Sequence, residues 1–458
     1  MDKPSGEMKI HTCYTVRIRS QVEDGRDRPV DDSLMKESAD TCLAALRFCT
    51  AAYLAFWAEE LEPLSGVRMR KRGEELIHTT KSAPAVCPGF DRQFPYMPSG
   101  MRRAIVADAL GMVKSYKSNL KNWEETDPKD RGRKPDIGFP KRYELTFYFQ
   151  ERDVSRISEG LVRLKLFNGK TWDWYTFRIA PAEARYISTV AETRKMLSPV
   201  VEKKRGRYFI RFCFEEQRKL IDTEPITYRI LAVDLGINHA ASWCVMEADG
   251  TVHARGVISL PAEEDRLRHL ANRIRQYQHA GKKSRCVYRW CNSANKALAI
   301  ETARAIIKTA ELYDVDCIVF EHLDTHGKKR GRRLAQRLHL WRANDVQNRV
   351  TVMAHRDGMR IRRVCAWNTS RLAFDGSGKV RRGEYFQNGK RRYNYSVAVF
   401  PNGKQYNCDV SASYNIGARF FLREYLSLHL DEPLPAATQR TYRDLVSIQI
   451  RKEAASAA

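Results

Sequence analysis

Residues 230–238 read Ile-Leu-Ala-Val-Asp-Leu-Gly-Ile-Asn, so that four apolar residues run directly into an aspartate and a glycine follows two positions later. A short apolar run that ends at a turn signal is typical of a fully buried strand. The pattern therefore predicts that Asp234 ends the strand. A carboxylate inside such a strand is costly unless it is paired or binds a metal. Because a strand-end aspartate is often a turn former or a helix cap, this stretch alone does not identify a catalytic site.

Two later stretches also combine an apolar pattern with a carboxylate. Residues 317–321 read Cys-Ile-Val-Phe-Glu, a second apolar run, which ends at Glu321. Residues 409–416 read Asp-Val-Ser-Ala-Ser-Tyr-Asn-Ile and place Asp409 at the start of a segment with apolar periodicity. The order and local pattern of these carboxylates resemble the three motifs of RuvC-type nucleases, and more narrowly those of the transposon-encoded TnpB nucleases and the related compact type V CRISPR effectors.

The third motif of that family typically reads Asp-x-Asn-Ala-Ala-x-Asn-Ile. Here Ser411 and Ser413 replace the first asparagine and the second alanine, whereas the remaining motif positions match at Asp409, Ala412, Asn415 and Ile416. The resemblance is strong over residues 225–427 and rests on layout alone in the N-terminal half.

The composition favours a nucleic-acid partner. The 458 residues suggest two to four domains, and 80 Lys and Arg against 55 Asp and Glu leave a net charge of +25. The eleven cysteines include no Cys-x-x-Cys pair, which indicates a reducing cytosol. We expect no signal peptide and no membrane span. Residues 281–284 come nearest to a phosphate-binding loop, but the first glycine of that motif is missing, so the sequence does not support nucleotide hydrolysis through such a loop.

The resemblance implies a multidomain fold of the α+β and α/β classes. A small antiparallel wedge barrel with a helical recognition insertion would precede an RNase H-like RuvC domain. The expected order is 1–31 for the first barrel strand, 32–134 for the helical insertion, 135–224 for the rest of the barrel, 225–363 for the first RuvC part with a lid at 322–337, 364–408 for a β-subdomain, and 409–458 for the RuvC end.

The resemblance assigns the chemistry to Asp234, Glu321 and Asp409 as catalytic residues and metal ligands. Carboxylates suit Mg²⁺, with Mn²⁺ as a substitute, and two such ions about 3.5–4 Å apart can activate water and stabilise a leaving oxygen. Asp234 would bridge the two ions because it comes from the central strand. His322 and His326 are four residues apart, but their surroundings lack a zinc-binding helix pattern.

The family usually has a four-cysteine zinc ribbon between its second and third motifs, and this sequence departs from it. Only Cys365 and Cys408 lie in the region, and the expected ligand positions hold Ala373, Gly376, Val399 and Asn402. We predict a β-subdomain without zinc. It would be built on an Asn388-Gly389 hairpin turn and packed by the aromatic residues Tyr385, Phe386, Tyr393, Tyr395 and Phe400.

Three groups of basic residues are candidate nucleic-acid contacts. The first lines one face of a predicted helix over Met101–Trp123, the second lies in the linker that follows, and the third is a run beside Glu321 where the family has its lid. A solvated surface is the alternative interpretation of each. The residues are Lys114, Lys117 and Lys121, then Arg131, Arg133 and Lys134, and finally Lys328, Lys329, Arg330, Arg332 and Arg333.

The resulting hypothesis is an RNA-guided, Mg²⁺-dependent DNA endonuclease of the prokaryotic cytosol, associated with the nucleoid. Its partners would be a guide RNA and a target DNA beside a short flanking motif, with pairing to the guide supplying specificity. Two alternatives stay open: an RNA-guided binder that silences DNA without cutting, and an unguided structure-specific nuclease or transposase of the same fold. Whether the chain acts as a monomer or a homodimer is also open.

Overall fold

A computed structural model describes residues 6–80, 84–129, 131–146, 160–236, 239–323, 342–366 and 368–429. The chain divides into two compact units, one of His11–Glu216 and one of Met1–Ile10 with Gln217–Ala458. The mixed α and β class predicted from the sequence is confirmed. Within the described ranges, no helix has both the length and the apolar character needed to cross a membrane.

The strands of the N-terminal half form two sheets. One has the order β1-β9-β8-β4 with β7 also paired to β9, and the other has the order β3-β2-β6-β5. The antiparallel strands predicted here are therefore present, while their closure into a wedge barrel stays a prediction. The strands are β1 Glu7–Arg17, β2 Ser20–Glu23, β3 Arg26–Arg28, β4 Leu145–Thr146, β5 Leu161–Phe167, β6 Trp172–Arg178, β7 Lys195–Met196, β8 Val200–Lys204 and β9 Arg207–Lys219.

Helices lie between these strands. The N-cap of the first is Asp31, which accepts hydrogen bonds from the backbone N–H groups of Ser33 and Leu34, as its position before the helix predicts. The helices are α1 Asp32–Ala55, continued by a π-helical turn at Trp57–Leu61, α2 Gly66–Ile77, α3 Gly89–Gln93, α4 Ser99–Glu125 and α5 Pro181–Thr193.

Two of these helices differ from the sequence prediction. The segment 63–98 was expected to be mostly loop, and residues 142–216 to be dominated by strands, yet α2 and α5 lie there. The four buried residues of α2 are spaced as on one helical face, but half of its twelve residues are charged and one of the buried four is a glycine, so its apolar signal is weak. The Tyr53 hydroxyl donates to the carbonyl of Gly73 at 2.9 Å, which anchors α2 to α1 by a tertiary contact that local periodicity does not record.

The second unit is built on a mixed sheet of order β12-β11-β10-β13-β14. The sequence after Asp234 predicts a hairpin of residues 241–246 and 251–260 with its turn at Asp249-Gly250, and the antiparallel pairing of β11 with β12 confirms it. Strand β11 is also antiparallel to β10, whereas β13 and β14 run parallel to β10. The strands are β10 Ile230–Asp234, β11 Ala241–Met246, β12 Val252–Ile258, β13 Cys317–His322 and β14 Arg360–Cys365. The helices are α6 Pro261–His279, α7 Arg285–Leu312, α8 Ala343–Arg356 and α9 Cys408–His429.

The fourth sheet of the described residues has the order β15-β16-β17, with β15 Arg381–Gln387, β16 Lys390–Val399 and β17 Gln405–Asn407. The predicted turn joins the first two strands, and its residues Asn388 and Gly389 have φ values of 51° and 73°. Two consecutive positive φ angles suit a tight hairpin turn, so the turn prediction is confirmed.

Helix α9 packs directly against β10 and β11. A Cβ atom added at Gly417 would lie 2.0 Å from the Met246 sulfur and 3.3 Å from the Ala232 Cβ. Glycine is therefore required at this position, because any side chain would push the helix away from the central strand.

We predict opposite effects of one substitution at two helical glycines. Gly417→Ala should lower the free energy of unfolding by about 1–3 kcal/mol, because the buried Met246 must move. Gly111→Ala is the matched control, since nothing lies within 4 Å of its added Cβ. It should raise stability by about 0.5–1 kcal/mol through helix propensity. Calorimetry that resolves the transition of each unit measures both, and a stabilising Gly417→Ala would contradict the close packing.

Candidate active site

Strand alternation directs two carboxylates to the same face of the mixed sheet. In β10, Ile230 and Ala232 pack in the cluster that contains α9, whereas Leu231 and Val233 pack on the opposite face with α7 and α8. Asp234 continues the first series and therefore falls on the α9 face. The same alternation in β13 brings Glu321 to that face, after Cys317 and Val319.

The register makes the two carboxylates level with each other. Val233 pairs with Phe320 in the parallel β10–β13 ladder, so the next residues, Asp234 and Glu321, occupy equivalent positions at the carboxyl ends of the two strands. Both residues are half-buried. This edge of the sheet is where the sequence predicted the site.

Asp409 comes from the helix that covers this face. It lies in the first turn of α9 and is also half-buried. The Asn407 side chain accepts hydrogen bonds from the backbone N–H groups of Asp409 and Val410 at 2.9 and 3.1 Å, which caps the start of the helix. Ser411 and Ser413, the two residues that differ from the family motif, are both buried. The Ser413 hydroxyl donates to the Val410 carbonyl at 2.7 Å.

The three carboxylates interact electrostatically. Burial raises the pKa of Asp234 well above its usual range, and the nearby charges of Glu321 and Asp409 raise it further, while the Arg382 guanidinium acts in the opposite direction. Burial also raises the pKa of Glu321, against lowering effects of a hydrogen bond from Thr369 and of the Arg419 charge. The structure thus brings together the Asp, Glu and Asp side chains that the sequence analysis selected.

Hydrogen bonds hold Glu321 at both its side chain and its backbone. The Thr369 hydroxyl donates to its Oε1 atom, and the Gln347 side-chain amide donates to its carbonyl at 2.9 Å. Arg363 in turn donates to the Gln347 side-chain oxygen at 3.0 Å. These contacts restrict the carboxylate to one orientation.

The motif residue Asn415 and the nearby Arg419, both on α9, support the same region. The Asn415 amide donates to the carbonyls of Thr369 and Leu372, each at 2.8 Å. Arg419 donates to the Cys365 carbonyl at 2.6 Å. Asn415 thus fastens the loop that carries Thr369, which gives this matching motif position a physical role. Sequence reasoning noted Asn415 only as a match and did not select Thr369, Gln347 or Arg419.

Arg382 is the functional candidate that sequence reasoning missed most clearly. It lies on β15, where a bulge at Arg382/Gly383 interrupts the ladder with β16. Its guanidinium donates to the Ser370 carbonyl at 2.7 Å and lowers the pKa of Asp234. Gly383 has a φ of 99°, and its ideal Cβ would be 3.1 Å from the Tyr393 ring. The only signal in the sequence is a pair of arginines before a glycine.

The donor chemistry of the site fits a hard divalent cation. The charges of Glu321 and Asp409 raise the pKa of Asp234, so the three carboxylates form a local excess of negative charge, which Mg²⁺ or Mn²⁺ would neutralise. Within the described part of the chain, no group of three or more His, Cys, Asp or Glu side chains is already gathered as a ligand set. Binding would therefore require the carboxylates to draw closer, with the cation offsetting their repulsion.

The β-subdomain differs from the prediction in its aromatic packing. Phe400 is buried as expected, and its core partner is Phe374 at a ring distance of 5.2 Å. The prediction that the hairpin aromatics are packed is wrong: Phe386, Tyr393 and Tyr395 are 58%, 69% and 65% exposed. These rings lie on the part of the β15–β16 hairpin that has only two strands, and within the described residues no other element packs over them.

The hairpin surface, defined here as the exposed side chains of Arg381–Gln387 and Lys390–Tyr395, combines aromatic rings with cations. The Tyr393 and Tyr395 rings are 5.2 Å apart, and their hydroxyls are hydrogen bonded at 2.7 Å. The surface includes Arg382, whose charge lowers the pKa of Asp234. Its exposed cations are Arg381, Arg382, Lys390, Arg391 and Arg392.

The basic residues predicted to contact nucleic acid differ in their exposure and in their local contacts. Lys114 and Lys121 are exposed on α4, and Lys117 is partly buried. Arg131 is engaged locally, because its guanidinium stacks 4.9 Å from the Trp123 ring and donates to the carbonyls of Thr126 and Glu124. Arg133 and Lys134 are exposed. The run Lys328, Lys329, Arg330, Arg332 and Arg333 lies outside the described residues, as does His326.

Comparison with solved structures identifies the fold. The structure of a Cas12f1–sgRNA–target DNA complex superposes with a TM-score of 0.52 at 12% identity, covering 88% of this chain and 99% of that one. The mini-RNA-guided endonuclease CRISPR-Cas_phi3 gives a TM-score of 0.52 at 10% identity, covering 93% of each chain. The chain shares the fold of compact type V effectors. The resemblance stated from three motifs is thereby confirmed at the level of the fold.

Sequence comparison gives a narrower result. The model of the Aq_aa04 family matches residues 24–168. An uncharacterized protein, aq_aa04 of Aquifex aeolicus (strain VF5), is 38% identical over 76 residues, which is 15% of this chain. The match spans 44% of the length of that curated relative. The family model matches a region away from the three carboxylates, and the curated relative matches only a small part of this chain. Neither match is therefore evidence about the chemistry of the site.

The raised pKa of Asp234 predicts a stability effect. An aspartate whose folded-state pKa is raised stabilises the folded state at low pH, and this contribution is lost as the pH rises from its unfolded pKa through its folded pKa. Asp234→Asn should therefore raise the unfolding midpoint by a few degrees at about pH 7 without divalent cation, with the gain disappearing toward about pH 4. Added Mg²⁺ should raise the midpoint of the wild type more than that of the variant.

Asp249→Asn is the control for this prediction. Hydrogen bonds from Thr251 lower the pKa of Asp249, so its charge stabilises the fold above the unfolded pKa and this contribution is lost as the pH falls. The control should lower the midpoint at about pH 7 and leave the response to Mg²⁺ unchanged. A loss of stability in Asp234→Asn equal to that of the control would contradict the electrostatic description of the site.

Proposed function

We propose that the chain is an RNA-guided DNA endonuclease that hydrolyses phosphodiester bonds at Asp234, Glu321 and Asp409. The observation that carries this proposal is the electrostatic coupling of the three carboxylates on the α9 face of the sheet. They come from two parallel strand ends and one helix start, the order and pattern of RuvC motifs. The two alternatives, binding without cleavage and unguided cleavage, become outcomes of the experiments below.

The carboxylates would hold Mg²⁺ or Mn²⁺. When bound, such ions activate a water molecule and stabilise the charge on the leaving oxygen. Asp234 would contribute from the central position, because both of the other carboxylates act on its pKa. Thr369 would keep one Glu321 oxygen fixed, leaving the other directed to the ligand. Arg382 would orient a phosphate of the strand being cut, since guanidinium groups bind phosphate oxygens well.

The hairpin surface would receive single-stranded DNA. Exposed aromatic rings stack on unpaired bases and neighbouring cations bind the backbone, a combination that tolerates any sequence. Tyr393 and Tyr395 offer the rings, and Arg391 and Arg392 lie on the same exposed strand segment. Arg382 joins this surface to the carboxylates, so a strand bound along the hairpin would be led to the site of hydrolysis.

A guide RNA and a target DNA are the proposed partners. The net charge of +25 favours a polyanionic partner, and the structures that share this fold include a complex with sgRNA and target DNA and an RNA-guided endonuclease. In such systems base pairing with the RNA reads the sequence, while the protein reads shape and a short DNA motif. Such an assignment of sequence reading to the RNA would explain why a strongly basic chain carries the proposed nuclease site.

The test of guiding begins with the RNA that co-purifies with the protein. Sequencing should give a discrete species, from which a matching DNA duplex with a randomised flank is made. Asp234→Ala protein should bind this duplex specifically only when the RNA is present, at about 150 mM salt. Specific binding without RNA would favour the unguided nuclease, and guided binding by a wild type that never cuts would favour the silencing protein.

We predict that Asp234→Ala, Glu321→Ala and Asp409→Ala each reduce DNA cleavage more than 100-fold while guide-RNA affinity is nearly unchanged. Thr369→Val is the graded control, since it preserves shape but removes the hydroxyl that holds Glu321. Loss of a residue that supports a metal ligand typically costs roughly 10- to 100-fold. Cleavage rates in Mg²⁺, measured beside RNA affinity, check both, and full activity of Asp234→Ala would overturn the assignment.

The hairpin surface predicts a separate defect. Replacing Tyr393 and Tyr395 by alanine should weaken binding of single-stranded DNA by about 30-fold or more, because each of the two lost stacking contacts contributes about 1–3 kcal/mol. Tyr96→Ala is the control, since Tyr96 is 89% exposed but lies in the other unit. Guide-RNA affinity should stay the same in both variants. An equal loss of RNA and DNA affinity in the double variant would assign the hairpin to the guide instead.

A further inference from the structure

Two cysteines stand opposite each other in the first sheet. Cys13 lies on β1 and Cys213 on β9, which are neighbouring strands. The Ile18 N–H donates to the Tyr208 carbonyl at 2.9 Å, and the Leu220 N–H donates to the Gly6 carbonyl at 2.6 Å. Both bonds belong to a single antiparallel register, in which Cys13 is directly across from Cys213.

Side chains around the pair agree with this register. The next opposed pair on the same face is His11 with Glu215, whose Nε2 and Oε2 atoms are 3.5 Å apart. The Cys13 thiol also lies close enough to Cys213 to raise its pKa. The register is therefore continuous past the two cysteines.

The pair occupies the narrow position of the antiparallel ladder. Opposed residues alternate between hydrogen-bonded pairs and non-hydrogen-bonded pairs, and the Cα atoms of the latter are about 4.5 Å apart. Ile18 with Tyr208 and Gly6 with Leu220 are hydrogen-bonded pairs. Cys13 lies an odd number of residues from both Ile18 and Gly6, so Cys13 and Cys213 form a non-hydrogen-bonded pair. Disulfides need Cα atoms about 4.4–6.8 Å apart, a range that includes this spacing.

We propose that Cys13 and Cys213 form a reversible disulfide when the protein meets a small-molecule disulfide such as oxidised glutathione. The Cys13 thiolate attacks one sulfur of the oxidant, which forms a mixed disulfide and releases one glutathione thiolate. The Cys213 thiolate then attacks the Cys13 sulfur and releases the second glutathione. Two protein thiols are oxidised and one glutathione disulfide is reduced to two thiols.

Exposure assigns the order of these two steps. Cys13 is exposed, whereas Cys213 is half-buried. Burial and the neighbouring Cys13 thiol raise the pKa of Cys213 to about 11, so little of it is thiolate at neutral pH. Cys13 therefore meets the oxidant first, and Cys213 is the resolving thiol.

The bond would fasten an edge strand. Strand β1 has β9 as its only neighbour in the sheet order of the described residues, and it carries the start of the chain. Edge strands open more readily than central ones because one side of their ladder is unpaired. A cross-strand bond at Cys13 would prevent this opening under oxidising conditions and release it when the thiols are restored.

The experiment treats the reduced full-length protein with oxidised glutathione and maps its peptides without reduction. The expected product is a Cys13–Cys213 cross-linked peptide that has lost two hydrogens, formed ahead of any other pair among the eleven cysteines. Cys13→Ser and Cys213→Ser should abolish it. Cys286→Ser, at another exposed cysteine, should leave its yield unchanged. The oxidised wild type should unfold at least about 4 °C higher than the reduced protein, and the Ser variants at one temperature in both states.

Two results would overturn the proposal. One is a Cys13–glutathione adduct that accumulates without resolving, which would mean that the Cys213 sulfur is out of reach. The other is a Cys13–Cys213 peptide whose yield in the folded protein is no higher than in protein unfolded with urea, which would mean that the sheet does not pair the two thiols. Neither measurement uses DNA cleavage, so both are independent of the proposed function.

Discussion

The parallel pairing of β10 with β13 is the constraint on which the candidate site depends. It places two strand ends, and therefore Asp234 and Glu321, at one level of the sheet. Charged carboxylates so close together repel each other, and burial raises the pKa of both. The surrounding hydrophobic packing must hold them there, because nothing in their own interaction favours it. The site is therefore held together against its own electrostatic repulsion.

Helix α9 and the loop before β15 complete what the sheet begins. Gly417 lets the helix approach Ala232, which brings Asp409 over the same face. Asn415 on that helix fastens the loop of Thr369, whose hydroxyl holds Glu321. The supporting residues thus form a chain of contacts from one carboxylate-bearing element to another. Arg382 adds a cation from the β-subdomain, so the site draws on four separate parts of the sequence.

The sequence predicted those elements whose signal is local. Apolar runs ending in carboxylates marked β10 and β13, and the Asn388-Gly389 turn marked the hairpin of β15 and β16. The sequence predicts a helix from Ser293, but α7 begins at Arg285, with Ser284 as its cap. Its first turns bury Val287 and Cys291 against Leu270 and Ile274, a tertiary contact with another helix. Helix α2 was missed because half of its residues are charged, and a tertiary contact at Gly73 anchors it to α1.

The sequence by itself determined which residue types are available for chemistry: three carboxylates in RuvC order, an excess of basic side chains, and a β-subdomain without the four cysteines of a zinc ribbon. Only the tertiary structure decided that Arg382 reaches the carboxylates, that Tyr393 and Tyr395 are exposed, that Arg131 stacks on Trp123, and that Cys13 faces Cys213. The physical reason is the distance along the chain over which each kind of signal acts. Patterns of hydrophobicity and turn residues act over a few positions, whereas these contacts depend on strand register and layer coverage, which join residues far apart in the chain.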